Sequence, residues 1–228
     1  MKVLRKIFIV LFLTMLTACF FVSDLTDKPV WPQETADTAP TVSSIEREIL
    51  AELNYARQNP RGYAKNVLQP RIARFNGLYY RQDDGVNLKT QEGARAVQEA
   101  VQELNSRSAF QPLALDMVLS KASRLLAEYQ AQSGTIGHSG PNGMNMQQRI
   151  ERYGSWDGYI GENCAYGSKT AGEIVAELII DDGVSGRGHR KNIFNGRFNK
   201  VGIAYIEGGN APYGSVCVMD FAGSFTAK

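Results

Sequence analysis

The sequence predicts an α+β fold, in which helices pack against a small antiparallel sheet. Apolar residues recur at helical spacing through most of the chain up to residue 182, and short β-branched runs come late, at 200–208 and 214–223. Strands and helices do not alternate along the chain, which argues against a parallel βαβ architecture. About 180 residues follow the N-terminal segments, enough for one well-buried domain.

The helices are predicted from their caps and their apolar spacing. The first, within 43–60, begins with a Ser43–Glu46 capping box and ends before Pro60, and Asn59 caps a short second helix that Pro60 begins. Three further helices are predicted at 90–107, at 115–134 and, opening with a Thr170–Glu173 capping box, at 170–182.

The strands are predicted from β-branched runs bounded by turn residues. Segments 200–208 and 214–223 are separated by "GNAPY", which indicates an antiparallel hairpin. A further strand is expected within 156–167, around Glu162. The sheet is therefore expected to form late in the chain, against helices that precede it.

The N-terminus has the pattern of a secretory signal. Lys2, Arg5 and Lys6 precede an uncharged apolar run that ends at Ala18, too short for a comfortable membrane span of about 20 residues. "LTAC" resembles the lipobox of bacterial lipoproteins, which predicts a signal peptide at 1–18 and lipidation of Cys19. The alternative is an ordinary cleaved signal with an incidental cysteine. Residues 19–42 lack periodicity and are expected to form a flexible tether to a domain at 43–228.

The charge balance requires neither nucleic acid nor an anionic surface as a partner. Without residues 1–18 the chain has 22 basic and 23 acidic residues. One basic cluster remains and is expected to be a solvated loop; it consists of Arg187, Arg190, Lys191, Arg197 and Lys200. The membrane is the expected partner, through the lipid. Phe20 rather than Asp after Cys19 favours the outer membrane or cell surface, by the lipoprotein sorting rule that the segment resembles.

Two cysteines remain if lipidation uses Cys19. An even number in an exported protein favours a disulfide between Cys164 and Cys217, with two buried thiols as the alternative.

The chain has only two histidines, and both follow a glycine in a polar turn. His138 comes after the helix at 115–134, and His189 follows Asp181 and Asp182, which close the helix at 170–182. Together with Glu162 these groups suit zinc or another borderline divalent ion, or acid–base pairs without metal. From spacing alone, isolated loop histidines remain the alternative.

Several motifs together resemble the CAP superfamily, which comprises cysteine-rich secretory, antigen 5 and pathogenesis-related proteins and whose module is the SCP domain. They are "HSG" at 138–140, "GENCAYG", the acid-terminated helix, "GHRKNIF" with "FNKVGIAY", and "VCVMDFAG". The resemblance covers about residues 45–223, including Asn54 and Arg57, and "GHRxN" looks like its bacterial branch.

The resemblance implies an α–β–α sandwich with a central cleft of two histidines and two acids. Carried onto this chain they are His138, Glu162, Asp181 and His189, as a tetrad and as metal ligands for zinc, with magnesium or calcium as alternatives. The family usually has Trp, two residues and Glu, where this chain has Leu178 and Asp181. Asp182 is therefore an alternative to Asp181, and the shorter acid bears on metal affinity.

Two functions from different classes follow from the resemblance. In the favoured one, a tethered binding module holds a divalent metal and a lipid-like or envelope ligand, without a specific reaction. In the other, the cleft is a metal-assisted hydrolase acting on peptide or cell-wall material. The chain has neither H-E-x-x-H nor G-x-S-x-G, and the lone Ser139 beside His138 has no reason to be activated. A structural envelope protein is a third possibility.

Overall fold

Helix α1, Ser44–Gln58, opens the domain in the computed structural model, which describes residues 41–82 and 85–228. Ser43 accepts a hydrogen bond from the Glu46 backbone, and the Glu46 carboxylate accepts one from the Ser43 N–H, so the predicted capping box is confirmed. Asn59 caps α2, Pro60–Tyr63, as predicted. The signal peptide, Cys19 and nearly all of the tether lie outside the described residues.

The helical path beyond α2 and the remaining helices agree only in part with the prediction. After α2 the chain continues as a π-helical turn, Ala64–Leu68, and a 3₁₀ helix, Gln69–Arg74. The other helices are α3 Ala94–Ser106, α4 Leu119–Ser133, α5 Met146–Tyr153, α6 Ala171–Ile180 and α7 Gly188–Ile193. The three predicted helices correspond to α3, α4 and α6, and α4 ends at Gly134 in the left-handed conformation, with φ 71°. Helices α5 and α7 were not predicted.

The main sheet has four strands in the order β4-β6-β7-β5. They are β4 Ala114–Leu115, β5 Gly154–Tyr166, β6 Lys200–Glu207 and β7 Ser215–Ala227. The β6–β7 hairpin is confirmed, and β5 pairs antiparallel with β7 at the edge of the sheet. The two-residue β4 pairs parallel with β6, so the sheet is antiparallel except at that edge.

A second, smaller sheet was not predicted. Its three strands are β1 Phe75–Asn76, β2 Tyr79–Arg81 and β3 Asn87–Lys89, joined antiparallel in the order β1-β2-β3. The strands are two or three residues long, too short for alternation of polar and apolar residues to be detected in the sequence.

The main sheet separates two layers of helices. Along β7, Cys217, Met219 and Phe221 belong to the hydrophobic cluster that contains the buried faces of α1, α3 and α6. The intervening Val218 and Ala222 pack with residues of α4 and α5 on the opposite face. Since successive strand residues point to opposite faces, β7 joins both layers, and the predicted α–β–α arrangement is confirmed.

The predicted disulfide is wrong, because the register of the sheet separates the two sulfurs. Cys164 lies opposite Val218, whereas Cys217 lies opposite Ala165, one position along. A one-residue offset places two side chains on opposite faces of a sheet. Cys164 accordingly packs in the α4 layer and Cys217 in the α1 layer, and both are free buried thiols.

The expectation of a solvated basic loop is wrong for Arg187 and Arg190, whereas Lys191 and Arg197 are exposed. Arg190 is fully buried, with its guanidinium on Glu99, Glu103 and two carbonyls at the end of α6. Arg187 pairs with Glu92 and Glu99. Buried guanidinium groups must be paired, and acids on α3 and just before it, distant in sequence, provide the partners.

Arg57 fixes the first helix to the segment that follows α7. Its guanidinium is buried and donates to the backbone carbonyls of Gln111, Ile193, Asn195 and Phe198. Burial lowers the pKa of Arg57 to about 10, still well above neutral, so the group remains charged. One side chain of α1 thereby positions the segment between α7 and β6.

No helix in the described part of the chain is long and apolar enough to cross a bilayer.

Candidate functional site

His138 forms the first of two imidazole–carboxylate pairs. It follows Gly137, whose φ of 100° makes the turn that the sequence suggested. The ring Nδ1 lies 2.8 Å from Glu162 Oε1. The His138 side chain is 56% exposed and that of Glu162 only 2%, so a buried acid holds an accessible ring. The hydrogen bond to Glu162 raises the pKa of His138 above its usual 6.5.

Arg149 of α5 fixes the other oxygen of Glu162. Its Nη2 donates to Glu162 Oε2, and its Nη1 donates to the carbonyls of His138 and Met144, at 2.8 and 2.9 Å. Burial opposes ionisation of Glu162, but the hydrogen bond from His138 and the charge of Arg149 outweigh it and lower the pKa of Glu162. Glu162 is therefore a carboxylate with both oxygens occupied.

Asp220 lies beside Glu162 as its directly opposed partner on β7. Ser123 of α4 donates to Asp220 Oδ2 at 2.8 Å, while the fully buried Oδ1 has no ionic or donor partner among the described residues. Burial, and then the charge of Glu162, raises the pKa of Asp220 well above its usual value. The burial and the neighbouring Glu162 charge thus favour the protonated form of Asp220.

Asp181 and His189 form the second pair. Asp181 ends α6 in the left-handed conformation, with φ 57°, which aspartate tolerates better than most residues. Its Oδ1 lies 2.6 Å from His189 Nδ1, and its Oδ2 accepts from the backbone N–H groups of His189 and Arg190. The Asp181 side chain is 1% exposed and that of His189 24%, which repeats the arrangement of the first pair.

Asp182 points elsewhere, toward the segment that precedes α3. Its two oxygens accept from the backbone N–H groups of Gln91 and Glu92, at 2.6 and 2.8 Å. The turn before His189 also differs from the expectation. Gly188 is the first residue of α7, and Gly186 and Arg187, at φ 77° and 54°, make the turn. Of the two acids, only Asp181 contacts a histidine.

Side-chain amides join the two pairs across the edge strand β5. Asn192 of α7 donates to the Glu162 carbonyl at 3.2 Å and to Asn163 Oδ1 at 2.9 Å, and Asn163 donates to the His189 carbonyl at 3.1 Å. Gly161 permits this approach, since a Cβ there would lie 2.9 Å from the Phe198 ring and 3.1 Å from the Asn192 amide oxygen. This contact explains the glycine and asparagine of the "GEN" motif.

The four predicted residues therefore lie as two pairs on neighbouring elements. Among the described residues, only His138, Glu162 and Cys164 bring three ligand atoms within 4.8 Å of one another. Cys164 is in this group because its Sγ lies 3.8 Å from His138 Nδ1.

The two pairs share a chemical arrangement that suits metal binding through the rings. A carboxylate that accepts from Nδ1 fixes the proton there and leaves the lone pair on Nε2. Within residues 41–82 and 85–228, neither Nε2 has a hydrogen-bond partner. The carboxylate oxygens, in contrast, already have partners. The arrangement thus fits a metal bound by the two imidazole rings, with each carboxylate orienting its ring through Nδ1.

Sequence analysis missed Arg149 and Asp220, although each has a detectable signal. Asp220 is a lone acid within the apolar run "VCVMDFAG", and Arg149 shares a helical face with Met146 and Tyr153. A single charge on an apolar face requires a buried partner.

Comparisons with known proteins agree with this architecture. Residues 50–221 match the model of the cysteine-rich secretory protein family, CAP. The uncharacterized protein YkwD of Bacillus subtilis (strain 168) is 28% identical over 116 residues, 51% of this chain and 43% of that relative. This chain thus matches less than half the length of the relative.

Two solved structures are also similar. An extracellular protein containing a SCP domain from Bacillus anthracis str. Ames has a TM-score of 0.37 and 16% identity, covering 57% of this chain and 37% of that one. An outer surface protein from Borrelia burgdorferi has a TM-score of 0.41 and 20% identity, covering 59% of this chain and 89% of that one. Because the family model spans well over half of its residues, the chain belongs to the cysteine-rich secretory protein (CAP) family.

Proposed function

We propose that this protein is an exported, membrane-tethered binding module whose cleft holds a divalent cation between His138 and His189. One observation carries the proposal: each ring is held at Nδ1 by a nearly inaccessible carboxylate, and its Nε2 is left without a partner among the described residues. Imidazoles held in this way are typical of metal ligands.

The arrangement favours zinc over magnesium or calcium. The hard cations need carboxylate or carbonyl oxygens, but Glu162 and Asp181 use theirs for His138, Arg149, His189 and the start of α7. Imidazole nitrogen suits zinc, which accepts water or a ligand group at its remaining positions. Of the four ligands predicted from the sequence, the proposal keeps His138 and His189 as ligands and makes Glu162 and Asp181 supporting acids.

Thermal unfolding of the full chain with zinc, magnesium and calcium tests the cation site. Zinc should raise the melting temperature, His138→Ala should abolish most of the rise, His189→Ala should reduce it, and the double variant should lose little more than His138→Ala. Such non-additivity indicates a shared site, whereas independent histidines would give additive effects near zero. If none of the three ions changes the melting temperature of the wild type, the pairs form a polar network and not a metal site.

Export and tethering are supported by the N-terminal pattern and by the similar proteins, one extracellular and one an outer surface protein. Metabolic labelling with a fatty-acid probe should mark the wild type, while Cys19→Ser should lose the label and no longer appear in the membrane fraction. A Cys217→Ser variant is the control, because that thiol is buried in the core. Label on Cys19→Ser would exclude lipidation at this residue.

The ligand is proposed to be an envelope component with polar groups. A cavity of about 610 Å³ lies at the loop 183–187, between Asp181 and His189 in sequence, and is lined by Glu92, Glu99, Glu103, Arg187 and Lys191, among others. Charged walls suit a polar ligand better than an acyl chain. Native mass spectrometry of protein purified from its own envelope should find such a ligand and its metal; a bound acyl lipid alone would contradict this assignment.

A metal-assisted hydrolase is the second candidate. Zinc held by two imidazoles keeps open positions, where a bound water would become acidic enough to attack a carbonyl. Burial raises the pKa of the Cys164 thiol well above its usual value, so the thiol near His138 is not an activated nucleophile. Release of product from peptidoglycan or casein by the zinc-loaded wild type, absent from His189→Ala, would favour this function.

A further inference from the structure

A nitrogen, an oxygen and a sulfur atom, each able to bind a metal, lie close together on the Nδ1 side of the His138 ring. They are His138 Nδ1, Glu162 Oε1 and Cys164 Sγ, and all lie within 4.8 Å of one another. Glu162 and Cys164 are two positions apart on β5, so their side chains point to the same face of the sheet. The turn at Gly137 brings His138 over both, with Cys164 Sγ 3.5 Å from the Gly137 carbonyl.

We propose that Cys164, His138 and Glu162 form a second zinc site, with a thiolate ligand, on the Nδ1 side of the His138 ring. The cation site proposed above uses the opposite nitrogen of the same ring and does not involve Cys164. Because a neutral imidazole offers one lone pair, the two sites exclude each other. They can therefore be distinguished by variants that affect only one of them.

The distances fit zinc after a small adjustment. A separation of 3.8 Å between Sγ and Nδ1 corresponds to an S–Zn–N angle of roughly 120° at ordinary bond lengths. The 2.8 Å between Nδ1 and Oε1 is a hydrogen-bond distance and must widen by roughly 0.5 Å to accommodate two zinc bonds. His138, more than half exposed, can make this movement.

The surroundings provide the supporting contacts of a metal site. Arg149 holds Oε2 of Glu162, so Oε1, whose partner is His138, is the oxygen that would turn to the ion. Tyr166 lies against the thiol and is itself fixed by hydrogen bonds to Gly137 and Gln130. Three protein ligands with one position open to solvent are typical of zinc sites that bind a further molecule.

The proton balance is simple. The Cys164 thiol loses its proton to solvent as the S–Zn bond forms, and the His138 proton moves from Nδ1 to Nε2 through solvent. Glu162 exchanges its hydrogen bond for a metal bond. Without metal, burial keeps the thiol neutral, and the cation supplies the charge that stabilises the thiolate.

Cobalt(II) tests the site, since a thiolate ligand gives a charge-transfer band in the near ultraviolet. The full chain, kept reduced, should develop the band to one equivalent. Cys164→Ser should abolish it, and Cys217→Ser, the matched control on the other face of the sheet, should keep it. His189→Ala should also keep the band, although it removes the site between the two histidines.

A second variant covers the case in which Cys164→Ser fails to fold. His138→Ala changes a largely exposed side chain and should weaken cobalt binding by at least about 10–100-fold. No band in the wild type, a band that survives in folded Cys164→Ser, or unchanged affinity in His138→Ala would overturn the proposal. Cobalt binding without the band, lost in His189→Ala, would leave only the site between the histidines.

Discussion

At the residue scale, Arg149 has the most demanding position in the site. Its guanidinium is fully buried and joins Glu162 to the turn that carries His138. Neither charge tolerates burial without the other, since desolvation of an unpaired ion costs several kcal/mol. The pair therefore holds the histidine in place and makes the site depend on helix α5.

We expect Arg149→Leu to lower the free energy of unfolding by about 3–5 kcal/mol, because it leaves Glu162 buried without its partner. Denaturant titration measures the change. Arg152→Leu, in the same helix and exposed, is the control and should change stability by less than about 1 kcal/mol. A similar small loss in both variants would show that the Arg149 pair is not a buried ion pair in solution.

The two neighbouring acids at the end of α6 should respond differently to substitution. Asp181→Asn removes the charge that binds His189 and the start of α7, so it should cost about 1.5–3 kcal/mol of stability and reduce the zinc-induced rise in melting temperature. Asparagine is favoured in the left-handed conformation, so the backbone should not contribute to the loss. Thermal and denaturant unfolding measure both effects.

Asp182→Asn is the matched comparison. Asp182 holds only the backbone before α3, so its loss should cost about 1 kcal/mol and leave the zinc response intact. A larger effect of Asp182→Asn on the zinc response would mean that Asp182 is the supporting acid.

At the scale of single elements, helix α6 contains a carboxyl group, Glu177, whose pKa is raised. Burial raises the pKa of Glu177 from 4.5 to about 7, and Ser168 is its hydrogen-bond partner. Between about pH 4.5 and about pH 7, the folded chain therefore binds more protons than the unfolded chain. Stability from this group is therefore complete below about pH 4.5 and falls as the pH rises toward about 7.

Glu177→Gln should remove this pH dependence. The wild type should lose stability with a slope approaching about 1.4 kcal/mol per pH unit between about pH 4.5 and 7, relative to the variant. Denaturant unfolding across that range measures the difference. Equal slopes in the two proteins would show that Glu177 ionises normally in the fold.

The success of the helix and strand predictions depends on element length and on caps. Helix α1 was predicted because the Ser43–Glu46 box and Pro60 mark its ends, and α4 because Gly134 marks its end. Helices α5 and α7 have eight and six residues, too few for a clear period. The His138–Glu162 and Asp181–His189 pairs follow the family motif, but their geometry depends on α5 and α7, which sequence spacing does not reveal.

The register of the sheet, like the short helices, could not be predicted from the sequence, and the two cysteines illustrate this. An even count in an exported protein favoured a bridge between Cys164 and Cys217, but a shift of one residue decides which face each sulfur occupies. Register is set by side-chain packing on both faces of β7 and not by a local pattern. We therefore expect the melting temperature of the exported protein to be the same with and without a reductant. A drop in reductant would indicate a disulfide.

At the scale of the whole molecule, two layers of helices meet at one edge of the sheet. Strand β5 carries Glu162 toward α5 and Asn163 toward α7, so the same edge strand contributes to both histidine pairs. Glycine at 161 permits the close approach of α7. Because the site lies at this junction, a loss of packing in either layer should weaken metal binding without changing a ligand.

The contacts of Arg57 have a consequence for the order in which the chain can fold. Its carbonyl partners at Ile193, Asn195 and Phe198 follow it by 136 to 141 residues, and Glu46 contacts Tyr205 across a similar interval. Helix α1 therefore cannot reach its native contacts until most of the chain has been synthesised. Contacts so distant in sequence also slow folding. We therefore expect the chain to remain unfolded while it emerges from the ribosome, as a secretion channel for unfolded polypeptides requires of its substrates.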